Sequence, residues 1–222
     1  MSEVSITIPS KGTLSHCVER MLVYCALNAY QRYDLAGAKL NEICGDSIHE
    51  KHVHCVNAMN ARSPLKAWAS LMLELDLIGS LPTDKHLLEM SEDEWSKLRP
   101  KVCAAIDRMT SVTGIGLASA TKMLALKRPE LVSACDAQLV TYFGVSASPH
   151  VAAAMALMER FRVIAAHTDN LDALATIKGE LAACTMFGQP VCLSTTRILE
   201  ALCWMEATEG GYSDLWAALA WD

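Results

Sequence analysis

The spacing of apolar residues is the feature of this chain that most restricts its fold. Apolar side chains recur at intervals of three and four residues along nearly the whole sequence, which is the periodicity of amphipathic helices. Only the short stretch from Val4 to Ile8 alternates as a half-buried strand does. The pattern predicts an all-α protein, and we expect a two-lobed helical bundle with a cleft between the lobes.

Proline and glycine residues divide this pattern into separate helices. Pro100 suits the first turn of a helix and is predicted to begin one. No linker rich in glycine, serine or proline and no internal repeat interrupts the chain, so residues 1–222 are expected to form a single domain. The predicted helices cover residues 14–33, 50–59, 64–75, 92–98, 100–109, 117–126, 137–143, 149–166, 171–184, 195–205 and 213–220.

The composition and charge of the chain exclude several classes of protein. No apolar run is long enough to span a membrane and the N-terminal residues lack the apolar segment of a signal peptide, so we expect a cytoplasmic protein without membrane contact. Nine cysteines without a CxxC pair are typical of reduced thiols. The net charge of -6 excludes a protein that coats nucleic acid through bulk positive charge, so any DNA contact must come from a local surface.

A glycine-containing turn at residues 113–116 joins two of the predicted helices. Its two glycines allow unusual backbone angles, and the isoleucine between them can enter the core. The first amides of a helix are unpaired and its dipole makes that end electropositive, so the turn is a natural phosphate site. The predicted DNA-contacting residues are Thr113, Gly114, Ile115, Gly116, Ser119, Thr121 and Lys122.

The stretch from Val112 to Leu124 resembles the helix-hairpin-helix motif, in which an apolar and a small residue precede Gly-apolar-Gly, and alanine and leucine follow at fixed positions. With Asp136 it resembles the DNA glycosylase superfamily named HhH-GPD for this hairpin, a Gly/Pro-rich loop and an aspartate. In that family the essential aspartate lies just beyond the second helix. The resemblance implies a helix-hairpin-helix at about residues 100–126 and a catalytic segment at residues 131–144.

Two departures from the family pattern refine the expected activity. Bifunctional members carry a nucleophilic lysine eighteen positions before the aspartate, where this chain has Ala118. The chain therefore resembles the monofunctional members, unless Lys122, one helical turn further on, has taken over as the nucleophile. Cysteines 184, 192 and 203 do not reproduce the four-cysteine iron-sulfur loop of some members, so no cluster and no other cofactor are expected.

Asp136 is the predicted catalytic residue. Cleavage of the N-glycosidic bond builds positive charge on the deoxyribose, which a fixed carboxylate stabilises while it orients or deprotonates the attacking water. The expected place of Asp136 at the start of a helix favours its ionised form. Helix capping alone is the alternative explanation for an aspartate at this position.

Other candidate residues concern the base pocket and the DNA strand. Tyr30 and Trp68 are candidates for stacking on a flipped base, although such aromatic residues commonly fill a core. Ala118 is a small residue that leaves room for a bulky modified base. Arg62 is a candidate to contact a phosphate or to insert into the gap left by the flipped base, with a solvent-exposed loop arginine as the alternative.

The histidine-rich segment at residues 49–55 is the sequence's one candidate metal site. His49 and His52 share a helical face, and Cys55 is close to them in sequence. His54 points elsewhere on a helix and no second ligand pair has zinc spacing, so we predict no metal site.

The resemblance implies a monofunctional DNA glycosylase, which we expect to act as a monomer on double-stranded DNA with a flipped modified base and to leave an abasic site. Its role is either base-excision DNA repair or antiviral defence against modified phage DNA. Two alternatives stay open: a non-catalytic helix-hairpin-helix DNA-binding protein, and a helical protein-interaction domain.

Overall fold

The computed structural model describes residues 3–27, 29–74 and 76–208, and these are mainly helical. A π-helix covers Tyr30–Leu35 and a 3-10 helix covers Leu71–Leu73. None of the described helices is long and apolar enough to cross a membrane. The α-helices are α1 (Cys17–Ala26), α2 (Ala36–Cys44), α3 (Glu50–Ala58), α4 (Leu65–Trp68), α5 (Asp76–Gly79), α6 (Glu92–Thr110), α7 (Leu117–Lys127), α8 (Ala137–Tyr142), α9 (His150–Ala165), α10 (Asn170–Ala182) and α11 (Thr195–Ala207).

Two short antiparallel hairpins accompany the helices. Strand β1 (Ile6–Ile8) pairs with β2 (Gly12–Leu14), and β3 (Thr185–Met186) pairs with β4 (Gln189–Pro190). The Asn170 side chain binds both the amide and the carbonyl of Thr7, at 2.9 and 2.7 Å, and so joins β1 to α10. The alternation seen in the sequence therefore marks a real but minor strand, and the prediction of an all-α fold is confirmed.

Helix α6 corrects the prediction that a new helix begins at Pro100. The helix starts at Ser91, whose hydroxyl and the Glu94 carboxylate form a capping box, and continues through Pro100 to Thr110. Proline removes one helical hydrogen bond. The buried face that includes Trp95 and Val102 continues on both sides of it, and its packing against α7 and α9 holds the two halves in line.

The first predicted helix is also divided in the structure. Helix α1 ends at Ala26 and the chain continues as the π-helix and then as α2, which the sequence did not predict. Helix α2 buries only Gly37. A β-carbon at Gly37 would lie 2.2 Å from the Leu126 side chain, so this glycine permits α2 to pack closely on α7. The predicted helix at residues 213–220 lies outside the described residues.

Helix α7 occupies the centre of the fold. It packs against α2, α3, α6 and α9, and every residue of this helix except Ala118 is buried. The short polar and cationic side chains of α7 are therefore inside the protein together with its leucines. This central position decides the environment of the residues that follow the 113–116 turn.

Candidate functional site

The turn at residues 113–116 joins α6 to α7. Gly114 has a φ of 96°, a left-handed conformation that favours glycine, and Ile115 is only 3% exposed. The Ile115 amide donates to the Val112 carbonyl at 3.0 Å, which closes the turn. Gly116 is exposed and precedes the first residue of α7, so the start of this helix faces the surface.

Ser119 and Thr121 do not face the surface with this turn. The Ser119 hydroxyl donates to the Ala61 carbonyl at 3.2 Å, and the Thr121 hydroxyl donates to the Leu117 carbonyl at 2.8 Å. Both residues are at most 2% exposed. In place of the expected phosphate contacts, these hydroxyls satisfy carbonyl groups inside the protein, because α2, α3, α6 and α9 pack against α7.

Asp136 is the N-cap residue of α8, as the sequence predicts. Its Oδ1 accepts a hydrogen bond from the Leu139 amide at 3.1 Å, so the side chain caps the helix. Its Oδ2 lies 3.7 Å from the Nζ atom of Lys122. One carboxylate oxygen is thus engaged by the helix and the other is paired with a cation.

Lys122 is nearly buried, with 5% of its side chain exposed. Its Nζ donates to the Met59 carbonyl at 2.7 Å, and its own carbonyl accepts the Tyr33 hydroxyl at 2.6 Å. Burial lowers the pKa of Lys122, and the neighbouring Asp136 acts in the opposite direction. Lys122 is therefore placed to contact Asp136 rather than to reach a phosphate on the surface.

The Lys122–Asp136 pair lines a cavity of about 290 Å³, which we call the Asp136 cavity. Of the predicted pocket residues, Ala118 lines this cavity, but Tyr30 and Trp68 do not. Tyr30 packs edge-on against Tyr24 in the core, and Trp68 is also fully buried. The two predicted pocket residues, Tyr30 and Trp68, therefore belong to the protein interior. The cavity is lined by Ala29, Ala58, Met59, Asn60, Ala118, Lys122, Asp136, Ala137, Gln138 and Trp204.

A strained loop at residues 59–63 lies at the rim of the Asp136 cavity. Asn60 and Arg62 are non-glycine residues with φ values of 59° and 54°, and both are exposed. Such strain persists where the surrounding structure fixes the backbone. Here Lys122 and Ser119 hold the loop from α7, and Asn57 binds both the amide and the carbonyl of Ser63.

Trp68 also contacts the 59–63 loop, through a hydrogen bond from its indole ring. Its indole N–H donates to the Ser63 hydroxyl at 2.9 Å, and the side chain is fully buried. Arg62 is exposed on this loop, two positions after Asn60 in the cavity lining, which is compatible with the predicted contact to a DNA strand.

The segment that precedes Asp136 is held by two buried side chains. The Ala134 amide donates to Glu200 on α11 at 2.8 Å, and the Cys135 amide donates to the Thr121 hydroxyl at 2.9 Å. These bonds fix consecutive backbone amides from two different helices. Glu200 was not among the residues that the sequence predicted.

Arg197 neutralises the buried carboxylates behind this segment. Its guanidinium contacts Asp34, at 2.9 Å, and Glu200, and it also bonds to the Tyr24 hydroxyl. Burial raises the pKa of Glu200 to about 7, although Arg197 acts in the opposite direction. An arginine and a glutamate three positions apart among the apolar residues of α11 were the signal in the sequence that indicates such a buried pair.

A larger cavity of about 340 Å³ lies beside the C-terminal end of α7. Its lining includes Asp34 and Arg197, which are paired with each other, and Leu126. The Asp34–Arg197 pair belongs to the buried network behind the segment that precedes Asp136, so we place the candidate site at Asp136 itself.

His49 and His52 form the N-terminal cap of α3. The His49 amide donates to His52 Nδ1 at 3.0 Å, which caps the helix, and His52 Nε2 lies 3.0 Å from Lys127 Nζ. Burial and the neighbouring charge of Lys127 together lower the pKa of His52 to about 4. Within the described ranges, no group of three histidine, cysteine or acidic side chains is placed to hold a metal ion.

Comparison with known protein families identifies a relationship over most of the chain. Residues 26–207 match the profile of DUF6308, a family of unknown function, and this range contains the hairpin, Lys122, Asp136 and Glu200. No curated protein and no solved structure matches the chain. Because the match covers most of the sequence, the chain belongs to the DUF6308 family.

Proposed function

We propose that this protein is a monofunctional DNA N-glycosylase with Asp136 as its catalytic carboxylate. The observation that carries the proposal is the pairing of Asp136 Oδ2 with the nearly buried Lys122 at 3.7 Å in the wall of a cavity. Burying a lysine is costly, and helix capping does not require one. Paired ionisable groups in a cavity are typical of a functional site.

The chemistry follows from the position of the carboxylate. The base leaves with the electron pair of the N-glycosidic bond, and positive charge builds on C1′ of the deoxyribose. Asp136 stabilises this charge and accepts a proton from the water whose oxygen bonds to C1′. The departing base takes up a proton, so the products are the free base and an abasic site with an uncut strand.

The exposed hairpin and the 59–63 loop support duplex DNA as the partner. Amides at the start of α7 can bind a phosphate, and Arg62 can contact the strand beside the flipped nucleotide. The proposal includes the HhH-GPD relationship, a cytoplasmic monomer and a cleft between two lobes. The net charge of -6 is compatible with it only if DNA binds at this local surface.

Lys122 gives a second candidate activity, that of a bifunctional enzyme. Its amine lines the cavity and its pKa is lowered, which favours the neutral, nucleophilic form. The amine would attack C1′ as the base leaves with the bonding electrons and takes up a proton, and opening of the C1′–O4′ bond would give the imine. Elimination of the 3′-phosphate would then cut the strand. Reaction in the presence of borohydride would then link the protein covalently to DNA, whereas the monofunctional enzyme gives no such adduct.

The proposed function is tested with duplexes that carry damaged or modified bases. Released bases are measured by mass spectrometry, and abasic sites are revealed by alkaline cleavage. Asp136→Asn is the matched variant because asparagine also caps a helix but carries no charge. We expect it to lose activity by a factor of about 10² or more.

Three results would contradict the proposal. Equal activity of Asp136→Asn and the wild type would exclude the catalytic role of this carboxylate. DNA binding without release of any base would support the non-catalytic helix-hairpin-helix protein. Absence of salt-dependent DNA affinity would support the protein-interaction domain.

A further inference from the structure

Alanines on four separate elements form much of the wall of the Asp136 cavity. Ala29 precedes the π-helix, Ala58 ends α3, Ala118 lies in α7 and Ala137 begins α8. Ala118 is the one residue of α7 that is not buried. Its methyl group forms part of the cavity wall, so the cavity reaches α7 at a small apolar side chain. The walls leave a volume of about 290 Å³, close to the lower limit of about 300 Å³ for sites that take drug-sized ligands.

Polar side chains are distributed unevenly around this cavity. The Lys122–Asp136 pair is mostly buried, with 5% and 13% of the two side chains exposed. Asn60 and Gln138 also line the cavity but are exposed, and within the described residues their side-chain amide groups make no hydrogen bond. The charged pair thus occupies the enclosed side, and two amides with both donors and acceptors lie at the open rim.

We infer that the Asp136 cavity takes a nucleobase enlarged by a polar, hydrogen-bonding substituent. The base ring would lie against the alanine walls with C1′ near Asp136. The substituent would extend to the amides of Asn60 and Gln138, which can bind hydroxyl or carbonyl groups. This inference rests on the proposed function and specifies its substrate class.

The inference is tested by comparing three modified duplexes. One carries uracil, one carries a base enlarged by an apolar ring, 1,N6-ethenoadenine, and one carries cytosine with a sugar on a 5-hydroxymethyl group. We expect kcat/KM for the sugar-bearing base to exceed that for uracil by about tenfold or more. Its value should also exceed that for ethenoadenine.

Two variants narrow the cavity from different helices. Ala118→Leu and the exposed Ala137→Leu should each lower the ratio of kcat/KM for the sugar-bearing base to that for uracil, by about tenfold. Ala175→Leu, at an exposed position of α10 away from the cavity, is the control and should leave the ratio unchanged. Measuring Ala137→Leu keeps the test valid if Ala118→Leu fails to fold.

The possible failures are distinguishable. If the wild type released none of these three bases and no other modified base, the proposed function itself would be overturned. Release of uracil as fast as the sugar-bearing base, with a ratio unaffected by either cavity variant, would overturn only the inferred substrate class. A preference for ethenoadenine over the sugar-bearing base would overturn the polar character of the substituent.

Discussion

The Glu200 carboxylate accepts the backbone amide of Ala134 at 2.8 Å, two residues before Asp136. Glu200 is 3% exposed and belongs to α11, whereas Ala134 belongs to the connection between α7 and α8. A residue without contact to the cavity thus fixes the backbone that presents the candidate catalytic group. The relationship makes Glu200 a positioning residue whose role can be separated from its charge.

Replacing Glu200 tests this positioning role. Glu200→Ala leaves the buried Ala134 amide without an acceptor, and we expect kcat of base excision to fall by up to about 10²-fold because Asp136 is displaced. KM should change little, since Glu200 does not line the cavity. Hydrogen exchange of the Ala134 amide, measured without any substrate, should accelerate in the same variant.

Glu200→Gln is the matched control. Glutamine keeps an oxygen that can accept the Ala134 amide but removes the charge next to Arg197. We expect it to retain most of the activity and the slow exchange. Equal loss in the two variants would show that the charge, and not this hydrogen bond, is what matters.

The hairpin can be tested with a matched pair of glycine substitutions. A β-carbon at Gly116 or at Gly179 would contact nothing within 4 Å, and both glycines are exposed. Gly116→Glu places negative charge at the start of α7 and should weaken DNA affinity by about tenfold while flattening its salt dependence. Gly179→Glu adds the same charge on α10 and should have little effect.

Fluorescence anisotropy of a labelled duplex over a series of salt concentrations gives both the DNA affinity and its salt dependence. If the two glycine variants bound DNA equally well, the hairpin would not be the DNA contact. Circular dichroism of each variant confirms that the fold is kept.

Stability should depend on pH through His52. Its pKa is lowered from 6.5 to about 4 in the folded protein, because burial and Lys127 disfavour the charged ring. Between pH 6.5 and 4 the unfolded chain therefore binds more protons than the folded protein. The contribution of the neutral His52 to the free energy of unfolding is lost as pH falls through this range. The corresponding loss is about 3 kcal/mol.

The variant His52→Gln isolates this contribution, because glutamine suits a capping box and does not titrate. Glu200, whose raised pKa acts in the opposite direction, is present in both proteins and cancels in their difference. Urea unfolding of both proteins should show the stability of the wild type falling relative to the variant over this pH range. A difference that does not change with pH would contradict the role of His52.

The helical class and the local form of the site were predictable from the sequence. The periodicity of apolar residues, the glycines of the turn with Ile115 between them, and the capping role of Asp136 all depend on neighbours within a few residues. The structure shows each of these features. Helix α2 was missed because its packing depends on the absence of a side chain at Gly37 and not on an apolar stripe.

The local sequence did not predict which polar side chains of α7 face the surface and which face the interior. Ser119, Thr121 and Lys122 were expected to face a phosphate, since the residues after a turn usually include an exposed face. All three are buried, because α2, α3, α6 and α9 pack against α7. A helix with few charges and small residues throughout was the available signal of such a central position.

The sequence by itself determined the helices, the turn and the aspartate at the start of α8, because these follow from short-range periodicity and backbone chemistry. Only the tertiary structure decided that Lys122 is paired with Asp136, that Ala118 opens onto their cavity and that Glu200 holds Ala134. These contacts join residues from different helices. Their geometry depends on how those helices pack, which no local pattern specifies.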